Sequence, residues 1–331
     1  MRCLVTGATG FTGGHLARTL AEHGHHVRAL VRPGSSTERL VHPRIELIEG
    51  QLTNPANVKA AAEACDKIYH IAAVFRTAGH PDSYYREVNV GGTINVLQAA
   101  EAVGCERVVH CSTAGVHGHV EHPPADESYR CKPDDIYQQT KLEGEMEARA
   151  AIHRGQRVTI FRPGAIYGEG DLRFLKLIRA IQRRRFAMIG PGTTRLHMVH
   201  VDDMVEGILL CGDLPSALGE IFLLAGPDVP TLNEIVALAA DIMGAPRPRL
   251  RIPVWPVYVA GWACESLCVP LGIDPPLHRR RIGFFTHHRE FDIGKAKRLL
   301  KFAPKIAVRE GIERTIRWYA SQGLLSPITR C

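Results

Sequence analysis

The sequence predicts an α/β fold with a doubly wound parallel sheet and helices on both faces. Two observations carry this prediction. Short apolar runs alternate with helix-like stretches through the first half of the chain, and a glycine-rich loop directly follows the first run. The runs are apolar almost throughout, which is typical of strands that helices cover on both sides.

Six strands and four helices are expected in this half. The strands are predicted at residues 2–6, 26–31, 45–48, 67–73, 107–111 and 157–161. The helices are predicted from Phe11 to about Glu22, after Asn54 with Pro55 in its first turn, from Tyr84 to about Ala102, and around "DDIYQQTKLEGE" at 134–145.

The second half predicts a smaller, interleaved C-terminal substrate lobe. Residues 197–210 and 220–226 indicate one more helix and one more strand that return to the main sheet. Thr231 and Glu234 have the spacing of a capping box at the start of a helix, and a last helix is expected at 309–323. We therefore divide the chain into a dinucleotide-binding domain at 1–170, to which 196–224 returns, and a substrate lobe at 171–331.

Composition excludes several classes of protein. The chain has 331 residues, of which 45% are hydrophobic and 23% charged, as in an ordinary globular protein. Its net charge of +7 comes largely from arginine clusters at 183–185 and 278–281. No nucleic-acid-binding motif accompanies them, so we expect solvated faces or small anion sites and no nucleic-acid partner.

The cysteines favour a reducing compartment. There are nine without paired spacing, which predicts free thiols and a cytoplasmic protein. Because the first strand begins at residue 2, no room is expected for a signal peptide. The nine are Cys3, Cys65, Cys105, Cys111, Cys131, Cys211, Cys264, Cys268 and Cys331.

Residues 252–273 are apolar, with Glu265 as their one charged residue. Three prolines limit the helical part to about a dozen residues, too few to cross a bilayer. A lid or core helix beside a hydrophobic substrate is the favoured interpretation. A peripheral membrane contact is the less favoured alternative, and a true membrane span the least.

The loop "TGATGFTG" predicts a dinucleotide site of the Rossmann type. Gly7 permits the tight turn, Gly10 lets a pyrophosphate approach the backbone, and Gly13 allows the helix to pack closely on the strand. Thr9, Phe11 and Thr12 lie between these glycines and are expected to contact the cofactor as well.

The end of the second strand bears on the choice of cofactor. It carries Arg32 and no acid, where a carboxylate would hold the ribose hydroxyls of NAD. Arg32, with Ser35 or Ser36, suits the additional phosphate of NADP. NADP is therefore the expected cofactor, and NAD is the alternative.

Tyr137 and Lys141 are four residues apart, which places both on one helix face. A free tyrosine has a pKa of about 10, so a nearby cation must stabilise its phenolate form before it can act as a base near neutral pH. Thr113 follows the fifth strand, at the edge where open α/β sheets bind ligands. The spacing alone does not distinguish an acid/base pair from a charged helix face, and the surrounding motifs must decide.

Together the motifs resemble the extended short-chain dehydrogenases/reductases, in the NAD-dependent epimerase/dehydratase group. The resemblance covers nearly the whole chain and is strongest to the branch of 3β-hydroxysteroid dehydrogenases, dihydroflavonol reductases and hopanoid-associated sugar epimerases. The segments that carry it are "TGATGFTG", "HIAA" (70–73), "NVGGTINVL" (89–97), "VVHCSTAGV" (108–116), "YQQTK" (137–141), "RPGAIYG" (162–168) and "VHVDDMVEG" (199–207).

The resemblance implies roles for individual residues. Thr113 would hold the reacting oxygen, Tyr137 would donate or accept its proton, and Lys141 would bind the nicotinamide ribose and tune Tyr137. Asn89 would lie at the edge of the active site. Further residues would line the cofactor: Ala72, Ala73, Cys111, Ser112, Pro163, Gly164, and Gln51 with Leu52, which stand where the family often has Asp-Leu or Asp-Ile. Val74, Ala114 and Arg195 would face the substrate.

The leading functional hypothesis is an NAD(P)-dependent oxidoreductase for a secondary alcohol or ketone of an apolar, sterol-, terpenoid- or flavonoid-like substrate. A nucleotide-sugar epimerase or dehydratase, with Arg195 on a phosphate, is the alternative, and a non-catalytic dinucleotide sensor is the third. Neither "HGH" (117–119) nor "HMVHVDD" (197–203) completes a ligand set, so no metal is expected. By analogy with the family we expect a homodimer, formed by the helices that carry 89–97 and 137–141.

Overall fold

A computed structural model describes residues 1–75, 80–268 and 279–326, without the side chains of 279–281. The described part of the chain therefore leaves out the end of the apolar stretch at 269–273, residue 278 with the side chains of the basic cluster after it, and Cys331. The eight other cysteines are free thiols, of which Cys131 is exposed and the rest are buried or half-buried.

The strands are short and mostly parallel to one another. They are β1 (Arg2–Thr6), β2 (His26–Val31), β3 (Ile45–Glu49), β4 (Lys67–His70), β5 (Arg107–Cys111), β6 (Val158–Pro163), β7 (Ala165–Tyr167), β8 (Met188–Ile189), β9 (Met198–His200), β10 (Ile221–Leu224) and β11 (Arg251–Ile252).

The α-helices alternate with the strands in the first half and dominate the second. They are α1 (Phe11–Glu22), α2 (Pro55–Ala62), α3 (Asp82–Arg86), α4 (Gly92–Ala102), α5 (Ile136–His153), α6 (Leu175–Gln182), α7 (Val201–Asp213), α8 (Leu232–Ile242), α9 (Val254–Cys268), α10 (Arg279–Thr286), α11 (Gly294–Leu299) and α12 (Val308–Ser321). A π-helical turn at Glu87–Gly91 joins α3 to α4.

The main sheet has seven parallel strands in the order β10-β6-β5-β4-β1-β2-β3. The chain builds outward from β1 in one direction and from β4 in the other. The order therefore reverses between β1 and β4, and in open α/β sheets ligands bind at this point, beyond the carboxyl ends of the strands. The predicted doubly wound parallel fold is confirmed.

Helices cover both faces of the sheet because successive strand residues point to opposite sides. Cys3 and Val5 of β1 belong to the core that includes residues of α1 and α7. Leu4, between them, belongs to the core that includes residues of α2, α4 and α5. The strands are apolar on both faces for this reason.

The second half supplies both sheet and lobe. The helix predicted at 197–210 forms over 201–213 as α7, while residues 198–200 form strand β9 instead. As predicted, a strand returns to the main sheet, where residues 221–224 form the edge strand β10. Residues of α6, α8 and α12 form a separate apolar core. Two small sheets, β7 with β9 and β8 with β11, accompany it. The domain division at residue 170 stays a prediction.

Local signals set several helix boundaries correctly. The α1 helix spans the predicted residues, and the Asn54 side chain accepts hydrogen bonds from the first turn of α2. Thr231 and Glu234 form the predicted capping box at the start of α8. Each of these ends is determined by residues adjacent in sequence.

Helix α9 was expected to be either a lid or a core helix, and the core interpretation is wrong. Gly261 is its single buried residue, so this part of the apolar stretch is not a core helix. Its aromatic side chains point outward instead. Among the described residues, no helix is long and apolar enough to cross a membrane.

Candidate active site

The glycine loop has the close contacts that were predicted for it. Gly7 has a φ of +76°, and a Cβ there would lie 2.7 Å from the backbone nitrogen of Ala72. A Cβ on Gly13 would lie 2.2 Å from the Gly7 carbonyl oxygen. The loop is thus pressed between α1 and the segment after β4, and neither position has space for a side chain.

The N-terminus of α1 is suited to an anion. Gly10 is its N-cap and provides no side-chain hydrogen bond, and the first turn has no acidic residue. The free N–H groups and the helix dipole favour a negative group at this end. Thr9 and Gly10 are exposed, while Phe11 and Thr12 are half-buried. A dinucleotide pyrophosphate fits this cradle.

Arg173 lies beside this cradle, a placement that sequence reasoning missed. Its guanidinium is 5.6 Å from the ring centre of Phe11 and 5.7 Å from that of Phe75. The buried Asp171 accepts hydrogen bonds from Arg173 Nε at 2.7 Å and Nη2 at 3.1 Å. Phe75 in turn contacts Tyr137 edge-on at 4.8 Å between ring centres. An aromatic and cationic row therefore runs from the start of α1 to the predicted catalytic tyrosine.

The other predicted cofactor residues occupy different positions along the sheet edge. The Thr6 hydroxyl accepts a hydrogen bond from Ala72 N at 3.4 Å, and both Ala72 and Ala73 are half-buried. Arg32 and Gln51 are exposed beyond β2 and β3. Leu52 packs on α4, where a Cβ on Gly92 would lie 2.5 Å from its Cδ2.

Pro163 and Gly164 continue from β6 to β7. Pro163 is buried at the end of β6, in register with Leu224. A Cβ on Gly164 would lie 2.6 Å from the His197 carbonyl oxygen. Close packing against the segment before β9 is thus sufficient to require glycine at 164.

Thr113 and Gln138, the residue after Tyr137, meet around Gly115. Tyr137 lies in the first turn of α5, whose N-cap Asp135 accepts a hydrogen bond from Gln138 N at 2.9 Å. The Thr113 hydroxyl accepts a hydrogen bond from Gly115 N at 3.1 Å. A Cβ on Gly115 would lie 3.2 Å from Thr113 Oγ1 and 3.3 Å from Gln138 Nε2. The hydroxyl of Thr113 therefore lies against the helix turn that carries Tyr137.

Lys141 is held one helical turn further along α5. Its side chain is buried, and Nζ donates a hydrogen bond to the carbonyl oxygen of Cys111, the last residue of β5. Burial lowers the pKa of Lys141, although the nearby Glu145 carboxylate opposes this shift. The lysine is thereby fixed at the strand end that carries Thr113.

A buried ion pair supports this strand end. Arg162 Nε and Nη2 donate to Glu145 at 2.9 and 2.7 Å, and the side chains are 1% and 0% exposed. Burial raises the pKa of Glu145, but the hydrogen bonds and charge of Arg162 outweigh it, and the pKa lies below its usual value. Ser112 Oγ donates to Glu145 at 2.6 Å. Ser112 is expected at the cofactor, but its hydroxyl makes this hydrogen bond in the protein interior.

Two histidines lie side by side beneath the site, on β4 and β5. The Thr93 hydroxyl donates its hydrogen to the Asn89 carbonyl, so the Thr93 oxygen accepts a hydrogen bond from Nε2 of His70 at 3.1 Å. Nδ1 of His70 therefore carries no proton and accepts a hydrogen bond from the Thr6 hydroxyl at 2.8 Å. The ring centre of His110 lies 5.3 Å from that of His70, with the two ring planes tilted by 39°. Neither ring nitrogen of His110 has a hydrogen-bond partner in the described chain. Burial, with the charge of Lys141, lowers the pKa of His70 to about 3 and that of His110 well below its usual value.

Asn89 fixes the backbone of Val74, a predicted substrate residue. Its Oδ1 accepts from Val74 N at 2.8 Å, and its Nδ2 donates to the Val74 carbonyl at 3.3 Å and to Thr140 Oγ1 at 2.9 Å. Asn89 lies in the π-helical turn before α4, and Thr140 lies on α5. Asn89, predicted at the edge of the active site, is thus buried and holds the Val74 backbone against α5. Ala114, another predicted substrate residue, is also buried.

Arg195, a predicted substrate residue, contacts a C-terminal segment. Its Nε is 3.5 Å from the Glu290 carboxylate, and its carbonyl accepts from Arg289 N at 2.9 Å. The same segment reaches the residues before α5, because His287 Nδ1 is 3.1 Å from Asp134 Oδ2.

Comparison with known proteins identifies the family and similar chains. Residues 3–225 match the model of the NAD dependent epimerase/dehydratase family. A putative dihydroflavonol 4-reductase of Synechocystis sp. is 29% identical over 333 residues, covering 96% of this chain and 94% of that protein. Sterol demethylase protein B of Methylococcus capsulatus is 30% identical over 343 residues, covering 98% and 100%. The crystal structure of the dTDP-glucose 4,6-dehydratase DesIV from Streptomyces venezuelae, with NAD bound, has a TM-score of 0.78 and 27% identity, covering 99% of this chain and 100% of that one.

Proposed function

The chain belongs to the NAD-dependent epimerase/dehydratase family, and on that premise we propose that it interconverts a secondary alcohol and a ketone on a largely apolar substrate. The observation that supports the proposal is the contact of Thr113 with the first turn of α5, which carries Tyr137, together with the hydrogen bond from Lys141 to the end of β5. In this proposal Tyr137 is the proton donor, the Thr113 hydroxyl holds the reacting oxygen, and Lys141 is the buried cation.

The glycine cradle and the α1 N-terminus would bind the pyrophosphate, with Arg173 as a neighbouring cation. When bound, the nicotinamide supplies or receives a hydride at the substrate carbon. The Thr113 hydroxyl holds the substrate oxygen, and the Tyr137 hydroxyl gives its proton to that oxygen during reduction or takes it during oxidation. The Lys141 charge favours the phenolate form of Tyr137.

Two kinds of observation support an apolar substrate. The ring of Phe75 packs on Tyr137, and the neighbouring backbone positions are Val74 and Ala114. The names of two relatives, a dihydroflavonol reductase and a sterol demethylase protein, refer to compounds with large apolar ring systems. Arg195, by contrast, is paired with Glu290, which weakens the case for a sugar-nucleotide phosphate.

For the cofactor we propose NADP in preference to NAD. Arg32 is exposed at the end of β2, and no carboxylate stands in "RPGSS" (32–36) to hold the ribose hydroxyls. A fluorescence titration tests this choice: NADPH should bind more tightly than NADH, and Arg32→Ala should remove the difference. Arg18→Ala, on the exposed side of α1, is the control. Equal affinities in the unaltered protein would refute the preference.

The reaction itself is tested with ketone substrates and with sugar nucleotides. A net change in nicotinamide absorbance with apolar ketones supports the proposal, whereas isomerisation of a sugar nucleotide without net change supports the epimerase alternative. Tyr137→Phe should reduce turnover by at least about a hundredfold and leave cofactor affinity unchanged. Full turnover of this variant would refute the role of Tyr137.

We further propose that the enzyme is a cytoplasmic homodimer formed through α4 and α5. The free thiols support a reducing compartment. The exposed Met146 on α5 offers apolar surface for pairing. Sedimentation equilibrium of the purified chain tests the stoichiometry, and a monomer at micromolar concentration would contradict it.

A further inference from the structure

Helix α9 carries a stripe of exposed aromatic side chains. Trp255, Tyr258, Val259 and Trp262 are 71, 50, 54 and 56% exposed, and Leu267 is 70% exposed. Their spacing of three, four and seven residues places the first four on one helix face. An exposed apolar patch of this kind usually marks a surface that binds something.

Exposed cations lie on the segments that precede β8 and β11. Strand β11 leads directly into α9 and pairs with β8, and Arg183, Arg184 and Arg185 precede β8 and are exposed. Arg249 is exposed on the facing segment. Residues 183–195 and 246–268 together contain seven arginines and one acidic residue, Glu265. Two of these arginines, Arg195 and Arg247, are paired with Glu290 and Asp241. We call Arg183, Arg184, Arg185 and Arg249, together with the four residues on the exposed face of α9, the basic-aromatic surface.

We infer that the basic-aromatic surface docks on an anionic lipid bilayer, with α9 lying in the plane of the headgroups. Tryptophan and tyrosine prefer this interface because their rings are apolar and their N–H and O–H groups stay hydrated. Arginines beside them are attracted to anionic headgroups, by about 1 kcal/mol for each residue near the surface.

The length of α9 agrees with a helix that lies on the membrane. Its 15 residues extend about 22 Å, which is shorter than the roughly 30 Å hydrocarbon core. A second copy of the chain is a less favourable occupant. A twofold dimer through this face would bring its arginines close to those of the partner, with Glu265 as the one acidic residue in these segments.

Helix α9 packs on α10, and His287, just after α10, is 3.1 Å from Asp134, which precedes Tyr137 by three residues. The docking itself does not depend on the proposed reaction.

The tryptophans provide a direct test. The chain has three, of which Trp255 and Trp262 are on α9 and Trp318 is half-buried on α12. In full-length Trp318→Phe protein, vesicles of phosphatidylcholine and phosphatidylglycerol in equal parts should shift tryptophan emission to shorter wavelength and carry the protein in a flotation gradient. Pure phosphatidylcholine vesicles should bind it much more weakly, and salt should weaken binding to the anionic vesicles.

Variants separate the two halves of the surface. Changing Arg183, Arg184 and Arg185 to Gln should weaken vesicle affinity by about a hundredfold. Trp255→Ser with Trp262→Ser should abolish flotation while cofactor binding is retained, and Val41→Ser, at an exposed apolar residue after β2, is the matched control. Absence of flotation at low salt, or equal flotation of the double variant, would overturn the inference. So would a change from dimer to monomer in the double variant without any vesicle binding by the parent protein.

Discussion

Removing the Glu145 carboxylate should destabilise the chain more than removing an exposed one. Arg162 donates two hydrogen bonds to it and Ser112 donates a third, and both charged side chains are at most 1% exposed. Glu145→Ala would leave a guanidinium without its counter-ion where water cannot replace it. The expected loss in the free energy of unfolding is about 3–5 kcal/mol.

Urea unfolding, followed by circular dichroism, measures this loss. Glu22→Ala is the matched control, because Glu22 pairs with Arg18 on α1 and both side chains are more than half exposed. That variant should lose at most about 0.5 kcal/mol. If Glu145→Ala falls within about 1 kcal/mol of Glu22→Ala, the buried pair does not support the strand end as we argue.

A double substitution isolates the charge. Glu145→Leu with Arg162→Met removes both partners, so no lone charge remains buried, and replacing a buried pair with apolar residues is often close to neutral. The double variant should therefore be more stable than Glu145→Leu alone. A double variant that loses the sum of both single losses would show that the pair contributes through packing rather than charge.

Three further results are expected. Gly13→Ala should weaken cofactor binding at least about tenfold in titration, since its Cβ would lie 2.2 Å from a loop carbonyl. The pKa of His70 is about 3 in the folded chain and 6.5 ordinarily, so the unfolded chain binds the proton first as the pH falls. The free energy of unfolding should therefore decrease by about 1.4 kcal/mol for each unit by which the pH is lowered from 6.5 to about 3. His110→Phe should reduce the acid loss in unfolding measured at stepped pH, because the pKa of His110 is shifted in the same direction. Asn89→Ala removes two hydrogen bonds to Val74 and should raise the substrate KM about tenfold in steady-state assays.

Each of these results can fail separately. An unchanged cofactor affinity would show that α1 can move away from the loop. Equal acid sensitivity of the His110→Phe variant and the parent would mean that another group controls the loss. An unchanged KM with a lowered kcat would place Asn89 in support of the catalytic helix instead of the substrate edge.

Features encoded by neighbouring residues could be read from the sequence. The start of α1 at Phe11 follows from the glycine loop, and the start of α8 follows from the pairing of Thr231 with Glu234. Tyr137 and Lys141 needed only helical spacing to be placed on one face. In each case the physical cause acts within one turn of the chain.

Contacts between distant residues left no comparable signal. Arg173 lies between Phe11 and Phe75, about 160 and 100 positions away, and no local pattern predicts that meeting. Helix α9 is apolar in composition, but composition does not tell which residues face solvent. The core interpretation was wrong because the helix directs its tryptophans outward.

The π-helical turn at Glu87–Gly91 has a consequence for chain length. Such a turn holds one residue more than an α-helix would, so deleting one residue would let α3 and α4 join as a regular helix. The part of the helix before the deletion would then rotate by about 100° relative to α4. Tyr85, which is 3% exposed, would leave its packing, and the Asn89 amide would no longer face Val74. Homologous chains that bind substrate in the same way should therefore tolerate substitutions in this segment more readily than a single-residue deletion.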